Sequence, residues 1–562
     1  MAKLRFSSMP KMKKRPWFDH YENGVPNEIE DSLFDSLPQL FDEALKKYPS
    51  SVAFSNMGAS LTFGKLDELS ANFAGYLIND PGLQKGDRIA IQMPNLLQYP
   101  ICVIGALRAG LIIVNTNPLY TAHEMEHQFH DSGIKAIVIL SNVASKLQEI
   151  LPKLPELKHI IISQIGDMFG GLKGTITNLV VRYVKKMVPK YKISNTINFK
   201  PTTAKRNLRL SYPELGKEDI AFLQYTGGTT GTSKGAILTH GNLLANATQH
   251  RVWLKSLLVD GEEIVVTPLP LYHIFAMTVN FITFFMLGAE NILITNPRDM
   301  PAFMKEMRKK PPTLFTGVNT LFNGMMNQPD FTKISFSKLK LSIGGGMAVL
   351  KPVAEKWKKL TNILLMEGYG LTECSPVVCI HPFDGKERVG TIGTPLPSTD
   401  VIICDDDGNE LPPNSDGELC VKGPQVMKGY WNNEKETKEV FFGEYLRTGD
   451  IAKMDDNGFF YIVDRKKEMI NVSGFNVYPK EIEDVIAQHP KVLEVGVKGV
   501  PDEKTNETPK AFIIKKDPSL TGEEICFFCK KELTSYKVPR QIVFRDELPK
   551  TNVGKILRKD LV

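Results

Sequence analysis

No stretch of this 562-residue sequence is both long and apolar enough to suggest a membrane span. The most hydrophobic run, Leu271 to Ala289, is interrupted by His273, Thr278, Asn280 and Thr283 and is followed at once by Glu290 and Asn291, so a buried helix is expected there. Cysteine is scarce and unpatterned. Seven residues (Cys102, Cys374, Cys379, Cys404, Cys420, Cys526 and Cys529) form an odd, scattered set, which argues against a secreted disulfide framework. Residues 1–16 are basic but lack the apolar core of a secretory signal, so a cytoplasmic protein is the expectation. A large excess of one charge is missing too: 69 Lys and Arg face 63 Asp and Glu, a net charge of +6. That balance admits a polyanionic substrate without requiring nucleic acid, and no nucleic-acid partner is expected. Hydrophobic residues at 42% and charged residues at 23% exclude a disordered chain. The length suggests about three to four domains of ordinary size.

From Leu33 to Ile162, short β-rich runs (Arg88–Met93, Leu111–Val114, Ala136–Leu140) alternate with helical stretches such as Leu96–Ala109. This alternation predicts α/β layers around a mainly parallel sheet, and it recurs from Ile220 to about Ile403. After Val401 the texture changes to short strands with tight turns at Asp405–Gly408, Asp416–Gly417 and Asp455–Gly458, which predicts a β-rich subdomain. From about Asp464 a compact mixture runs to Val562, with a helix at Pro479–Gln488 and a strand at Ala511–Lys515.

Residues 165–200 carry Lys173, Arg182, Lys185, Lys186, Lys190, Lys192 and Lys200, with no acidic residue after Asp167. Ile176, Leu179, Val180, Tyr183, Val184 and Met187 fall on one helical face. A basic amphipathic helix of this kind either lies on an anionic membrane or packs on its own domain. Peripheral contact with the cytoplasmic face of the inner membrane therefore stands as one of two expectations.

The sharpest signal is Tyr225-Thr-Gly-Gly-Thr-Thr-Gly-Thr-Ser-Lys-Gly-Ala236. Gly227, Gly228, Gly231 and Gly235 allow close approach of the backbone to a polyanion. Thr226, Thr229, Thr230, Thr232 and Ser233 supply hydroxyls, Lys234 adds a positive charge, and successive backbone N–H groups form an anion-binding nest. A Walker A loop needs Gly-Lys-Ser/Thr; here Lys234 follows Ser233 and precedes Gly235. Strand-like runs flank the loop (Ile220–Tyr225 and Ala236–Leu238), which sets it apart from a flexible linker.

Four further motifs follow in order. They are Glu367-Gly-Tyr-Gly-Leu-Thr-Glu373, Tyr445-Leu-Arg-Thr-Gly-Asp450, Asp464-Arg-Lys-Lys-Glu-Met-Ile470 with Val472-Ser-Gly474, and Pro549-Lys-Thr-Asn-Val-Gly-Lys555. With the glycine-rich loop, this series resembles the adenylate-forming superfamily of acyl-CoA synthetases, luciferases and peptide-synthetase adenylation domains. The resemblance is closest to bacterial long-chain fatty-acid–CoA ligases.

The resemblance implies an α/β fold. A large N-terminal domain of layered α/β subdomains plus the β-rich subdomain would span 1–463, a hinge 464–467, and a small, mobile α+β C-terminal domain 468–562. It also implies ATP, Mg²⁺ and coenzyme A as cofactors and substrates, a fatty acid as the acyl donor, and a homodimer as an open possibility for assembly. Mg²⁺ commonly takes one or two carboxylates plus substrate phosphates; Glu373 is implied as its ligand, with Thr229 assisting. Thr372 would bond the α-phosphate and Tyr369 would stack on adenine. Asp450 would accept both ribose hydroxyls, a task that suits two carboxylate oxygens, and Arg465 would contact the same ribose. Lys555 would stabilise charge at the α-phosphate and acyl oxygens. The C-terminal domain would pivot near Lys467, and the backbone at Gly474 would line the pantetheine tunnel. Gly345, Gly346, Glu367, Gly368, Gly370 and Ile462 complete the implied nucleotide-binding set.

Acyl specificity is expected around Pro270–Phe275, Thr316–Phe322 and Gly344–Met347. His273 is implied at the pocket mouth; a satisfied core histidine is the rival reading. Met277 occupies the neighbourhood where long-chain members of the family can carry an aromatic gate. Tyr445 and Arg447 depart from a pattern in which many fatty-acyl members carry Trp and another residue, and tuning of activity is expected there. A buried methylene contributes about 0.8 kcal/mol, and neighbouring chain lengths differ by about 1–3 kcal/mol, so only a medium to long acyl chain is predicted. His123-Glu-Met-Glu-His127 matches a zinc-protease pattern without a third ligand, and Cys526 and Cys529 form a lone CxxC best read as a helix face. Two rivals share much of this chemistry: an acyl-AMP ligase that delivers to a carrier protein, and a non-catalytic acyl- or nucleotide-binding protein.

Overall fold

The computed structural model describes residues 14–30, 32–205, 211–226, 233–385, 388–473, 475–502, 504–551 and 554–562. Two sheets dominate its larger part. The first has seven strands in the order Thr196–Asn198, His159–Ser163, Ala136–Leu140, Arg88–Gln92, Ile112–Asn115, Ile220–Thr226, Lys234–Thr239. All its pairs are parallel except the last, which is an antiparallel hairpin. The predicted run Ala136–Leu140 is a strand with every residue buried. Full burial is what a parallel strand covered on both faces requires.

The second sheet has nine strands. Its parallel centre consists of Leu365–Gly370, Leu341–Gly344, Leu314–Gly317, Ile264–Thr267, Glu290–Leu293 and Val52–Asn56, with antiparallel strands at both edges. Helix Gln98–Arg108 is buried on every side. Its Arg108 is compensated by Asp42 and Asp67, the latter 2.6 Å from Nη2, as a buried charge must be. One continuous core links the two sheets, running in sequence from Trp17 to Phe460.

The hydrophobic run at Leu271–Ala289 is buried, as expected, but its helix departs from a regular α-helix. Ala276–Thr283 forms a π-helix that passes into an α-helical turn at Phe284–Met286. Among the described residues no helix is long and apolar enough to cross a membrane.

The β-rich segment is a five-stranded antiparallel sheet built from Asp400–Cys404, Gly417–Lys422, Tyr445–Met454, Phe441–Phe442 and Phe460–Arg465. Residues from Ile470 onward build a separate five-stranded sheet with its own core of Ile470, Val477, Ile482, Ile486, Val497, Ile513 and Ile525 among others. Helix Pro479–Ile486 starts at its proline, whose fixed φ and missing N–H suit that position. The architecture is thus α/β, with a large N-terminal part and a smaller C-terminal domain.

Candidate active site

The glycine-rich loop is held by the hairpin Ile220–Thr226/Lys234–Thr239, in which Thr226 pairs with Lys234 and Tyr225 with Gly235. Residues Gly227, Gly228, Thr229, Thr230, Gly231 and Thr232 lie outside the described residues. The hairpin is anchored by the Tyr225 hydroxyl, which donates to Asp131 at 2.5 Å. The Lys234 ammonium pairs with Glu436 and lies 5.3 Å from the centre of the Tyr430 ring.

Strand Leu365–Gly370 runs into the turn that carries Thr372 and Glu373. Glycine is required at Gly370, where a Cβ would fall 2.2 Å from the Pro376 carbonyl oxygen. The close approach brings the acidic residue up to the sheet edge. The Glu373 carboxylate accepts from the Tyr430 hydroxyl at 2.8 Å. Tyr430 is carried there by a segment docked along the hairpin: Ile237 donates to Gly429 at 2.9 Å, and Met427 donates to the Glu373 carbonyl at 2.7 Å. On the same strand, the Tyr369 hydroxyl donates to Asp450 at 2.6 Å, and Arg465 pairs with the other oxygen of that carboxylate at 2.7 Å. Asp450 and Arg465 face each other across adjacent antiparallel strands, which fixes their pairing.

His273 is set by a polar knot between the two large sheets. The buried Asn95 donates to the carbonyls of Thr267 and Leu269 at 3.0 and 2.9 Å and accepts from the Leu271 amide at 2.8 Å. Gln224 donates to the Tyr272 carbonyl at 2.9 Å. Burial pushes the His273 imidazole down to about 4, so it is neutral near pH 7.

Lys555 arrives from the other domain on a tight turn. Thr551 and Lys555 exchange bonds, amide to carbonyl at 2.7 Å and amide to hydroxyl at 3.0 Å. The turn seats on the large domain where Gly554 meets Thr320: its φ is +85°, and a Cβ there would lie 2.6 Å from the Thr320 hydroxyl. Burial pushes the Lys555 ammonium below the usual lysine range, and Arg465 nearby acts in the same direction. Arg558 ties this segment to residues 464–483, donating to Asp464 at 2.8 Å and to Glu483 at 2.6 Å and pairing with Glu468.

These groups converge on one cavity of about 1140 Å³, lined by Thr226, Lys234, His273, Gly345, Gly346, Gly368, Tyr369, Gly370, Thr372, Glu373, Arg465 and Lys555. Its lining also holds apolar side chains, among them Trp253, Leu254, Val279, Val377 and Ile380, beside further polar and charged residues such as Asn115, Gln224, Glu418 and Glu436. Glu367 and Ile462 line a neighbouring cavity on the domain interface, together with Asp450 and Lys480. Burial raises Glu367 there to about 7. Gly474 lies outside the described residues. Met277 is fully buried, while Phe275 lines the cavity.

The Glu373 carboxylate, on the turn that follows strand Leu365–Gly370, is of a type that suits a magnesium ion, which needs few protein ligands when phosphates supply the rest. No cluster of three or more His, Cys, Asp or Glu residues able to hold a metal occurs among the described residues. In the zinc-protease look-alike, Glu124 closes a capping box with Thr121, and His127 lies 2.8 Å from the Ser233 carbonyl. Cys526 and Cys529 sit on helix Gly522–Glu532. Tyr445 donates to Asp400 at 2.7 Å and Arg447 pairs with Glu418 at 2.8 Å, so the first departure from the family pattern is tied to the β-rich sheet. Tyr430, Glu436, Asn95 and Arg558 were not singled out by sequence. Each is an isolated polar or aromatic residue whose partner lies far away in the chain.

The chain matches the AMP-binding enzyme family over residues 41–431 and the AMP-binding enzyme C-terminal domain over residues 481–555. The long-chain-fatty-acid–CoA ligase of Escherichia coli O6:H1 is 54% identical over 98% of each chain. That of Haemophilus influenzae is 50% identical over 97% of each. Among solved structures, a benzoate CoA ligase from Burkholderia xenovorans superposes with a TM-score of 0.81 at 26% identity, covering 94% of this chain and all of that one (100%).

Proposed function

The chain belongs to the AMP-binding enzyme family, and from that premise we propose how its residues share the work of making an acyl-CoA. The enzyme activates a fatty acid with ATP to an acyl-adenylate and transfers the acyl group to coenzyme A, releasing AMP and pyrophosphate. The observation that carries the assignment of roles is the cavity that brings Lys555, Glu373, Arg465 and His273 together with apolar side chains such as Val279, Val377 and Ile380.

In this reading ATP places its ribose against Asp450 and Arg465, its adenine against Tyr369, and its phosphates along residues 226–234. Glu373 and Thr229 would hold a magnesium ion, which would supply positive charge against the repulsion between the phosphates and the fatty carboxylate. Thr372 donates to the α-phosphate. The carboxylate approaches past His273, whose neutral imidazole offers a hydrogen bond without adding charge. The Lys555 ammonium bridges the α-phosphate and acyl oxygens as negative charge builds there, and pyrophosphate leaves. Electrostatic stabilisation of this kind is commonly the largest single contribution to catalysis. The C-terminal domain then turns about residues 464–467, withdraws Lys555 and brings the backbone of Gly474 to the acyl carbonyl, where the thiol of coenzyme A attacks.

The test is release of AMP and pyrophosphate from ATP with a panel of saturated and unsaturated fatty acids, with and without coenzyme A. Turnover that depends on coenzyme A and favours medium to long chains is expected. Accumulation of acyl-AMP unaffected by coenzyme A would point to a carrier protein as acceptor, and no AMP with any acid would refute the acyl pocket.

The same enzyme also carries a surface suited to the membrane where its substrate partitions. Helix Gly171–Leu179 and the π-turn Val180–Val184 expose Leu172, Ile176, Leu179, Tyr183 and Val184 to solvent. An apolar stripe that faces outward beside Arg182, Lys185 and Lys186 matches an anionic lipid surface better than a neutral one. Each lysine near such a surface contributes about 1 kcal/mol. Binding to phosphatidylglycerol vesicles is therefore expected, weakened about fivefold per charge in Lys185→Glu and Lys186→Glu. Cosedimentation unchanged in the double variant would remove this assignment.

A further inference from the structure

Both arms of the phosphate hairpin are gripped by one helix, Ala122–Ser132. His127 Nε2 lies 2.8 Å from the carbonyl oxygen of Ser233, the residue immediately before strand Lys234–Thr239. A carbonyl only accepts, so Nε2 carries the proton and donates. One turn further along the helix, Asp131 accepts from the Tyr225 hydroxyl at 2.5 Å, on the strand that enters the loop. Residues four apart share a helix face, so the two grips act from the same side. The Asp131 carbonyl stands in the last turn, where helix carbonyls lack internal partners. It accepts from the Trp431 indole at 3.1 Å and the Asn432 amide at 3.2 Å. Those residues adjoin Tyr430, whose hydroxyl donates to Glu373. The helix itself is firmly seated. A capping box of Thr121 and Glu124 closes its first turn, and Met125, Gln128 and Phe129 are buried. Gln128 donates to the Asn115 carbonyl at 2.9 Å, and Asn115 donates to Gln224, next to Tyr225, at 3.0 Å.

We infer that His127 is a positioning residue for ATP: by holding the Ser233 carbonyl it fixes where Lys234 and the outgoing arm of the hairpin meet the triphosphate. Lys234 lines the cavity, and its neighbour Ser233 is the atom's length of backbone through which His127 acts. A glycine-rich segment loses much conformational freedom when it is ordered. Pinning both of its ends beforehand, Tyr225 through Asp131 and Ser233 through His127, lowers the ordering cost left for ATP binding. The inference rests on the reading above in which ATP lays its phosphates along residues 226–234.

The experiment measures kcat and KM for ATP in fatty-acid-dependent pyrophosphate release, inhibition by AMP, and thioester formation from preformed acyl-adenylate and coenzyme A. In His127→Leu, kcat/KM for ATP is expected to fall about tenfold, equivalent to about 1.4 kcal/mol, chiefly through KM. Inhibition by AMP and the thioester step, neither of which involves a triphosphate, should stay at wild-type values. His127→Gln, whose amide reaches the place of Nε2, should recover most of the loss, whereas His127→Asn, whose amide falls short, should not. Losses shared by AMP and the thioester step, wild-type kinetics in His127→Leu, or a His127→Gln variant as impaired as His127→Leu would overturn the inference and leave the adenylation reading standing. Should His127→Leu not fold, the contrast between His127→Gln and His127→Asn decides it. If the wild-type protein releases no pyrophosphate with any fatty acid, the adenylation reading fails and the inference falls with it.

Discussion

Lys555→Met is expected to lower fatty-acid-dependent pyrophosphate release by about 10²–10³-fold, the usual cost of removing one preorganised donor from developing charge. Thioester formation from preformed acyl-adenylate and coenzyme A should stay near the wild-type rate, because the proposed domain turn would carry this residue away before the second step. The two half-reactions, measured separately, distinguish a group that acts in one step from one that merely holds the domains together. Stability offers a control. Burial already depresses the Lys555 ammonium, so an apolar side chain of similar length relieves a desolvation cost, and the melting temperature should hold or rise. Protonation adds a third readout. Because the folded protein lowers this pKa, kcat/KM for adenylation should fall on the alkaline side below the usual lysine range, and that limb should vanish in the variant. Equal loss of both half-reactions would contradict the role assigned here.

Asp450→Ala should be the second most damaging change, and its effect should fall on ATP. Asp450 is almost fully buried, accepts from the Tyr369 hydroxyl, and pairs with Arg465. Removing it would delete the proposed ribose acceptor and leave both neighbours without their partner. Loss of the bidentate contact predicts a fall of about 10²-fold in kcat/KM for ATP, while KM for the fatty acid changes little, since the apolar wall is untouched. Stability should drop by about 1–3 kcal/mol, towards the lower end because Arg465 retains some water. Asp450→Asn, which keeps one acceptor oxygen, should fall between. If both substrates weakened alike, Asp450 would be a structural residue and not a nucleotide contact.

Much of this site was legible in the chain. Thr226, Lys234, Tyr369, Thr372, Glu373, Arg465 and Lys555 were named from local motifs, and the structure gathers them around one cavity. Such motifs are readable because each needs particular backbone freedom at fixed spacing, as Gly370 and Gly554 demonstrate. The apolar stripe on residues 176–187 was equally readable, but its direction was not. Whether it faced its own domain or solvent depended on what packed beneath it, and the structure turns it outward.

What the sequence determined by itself was class, alternating strands that require an α/β layering and a glycine-rich loop suited to an anion, while the carboxylates and the C-terminal lysine were assigned through the motifs' resemblance to adenylate-forming enzymes. Local patterns set these because periodicity, glycine freedom and charge act over a few residues. Tertiary structure alone decided the partnerships. Tyr430 reaches Glu373 from 57 residues away, Asn95 fixes the Leu271 amide from 176, and Arg558 grips Asp464 from 94. No spacing rule spans such distances, because they are set by how sheets and domains stack.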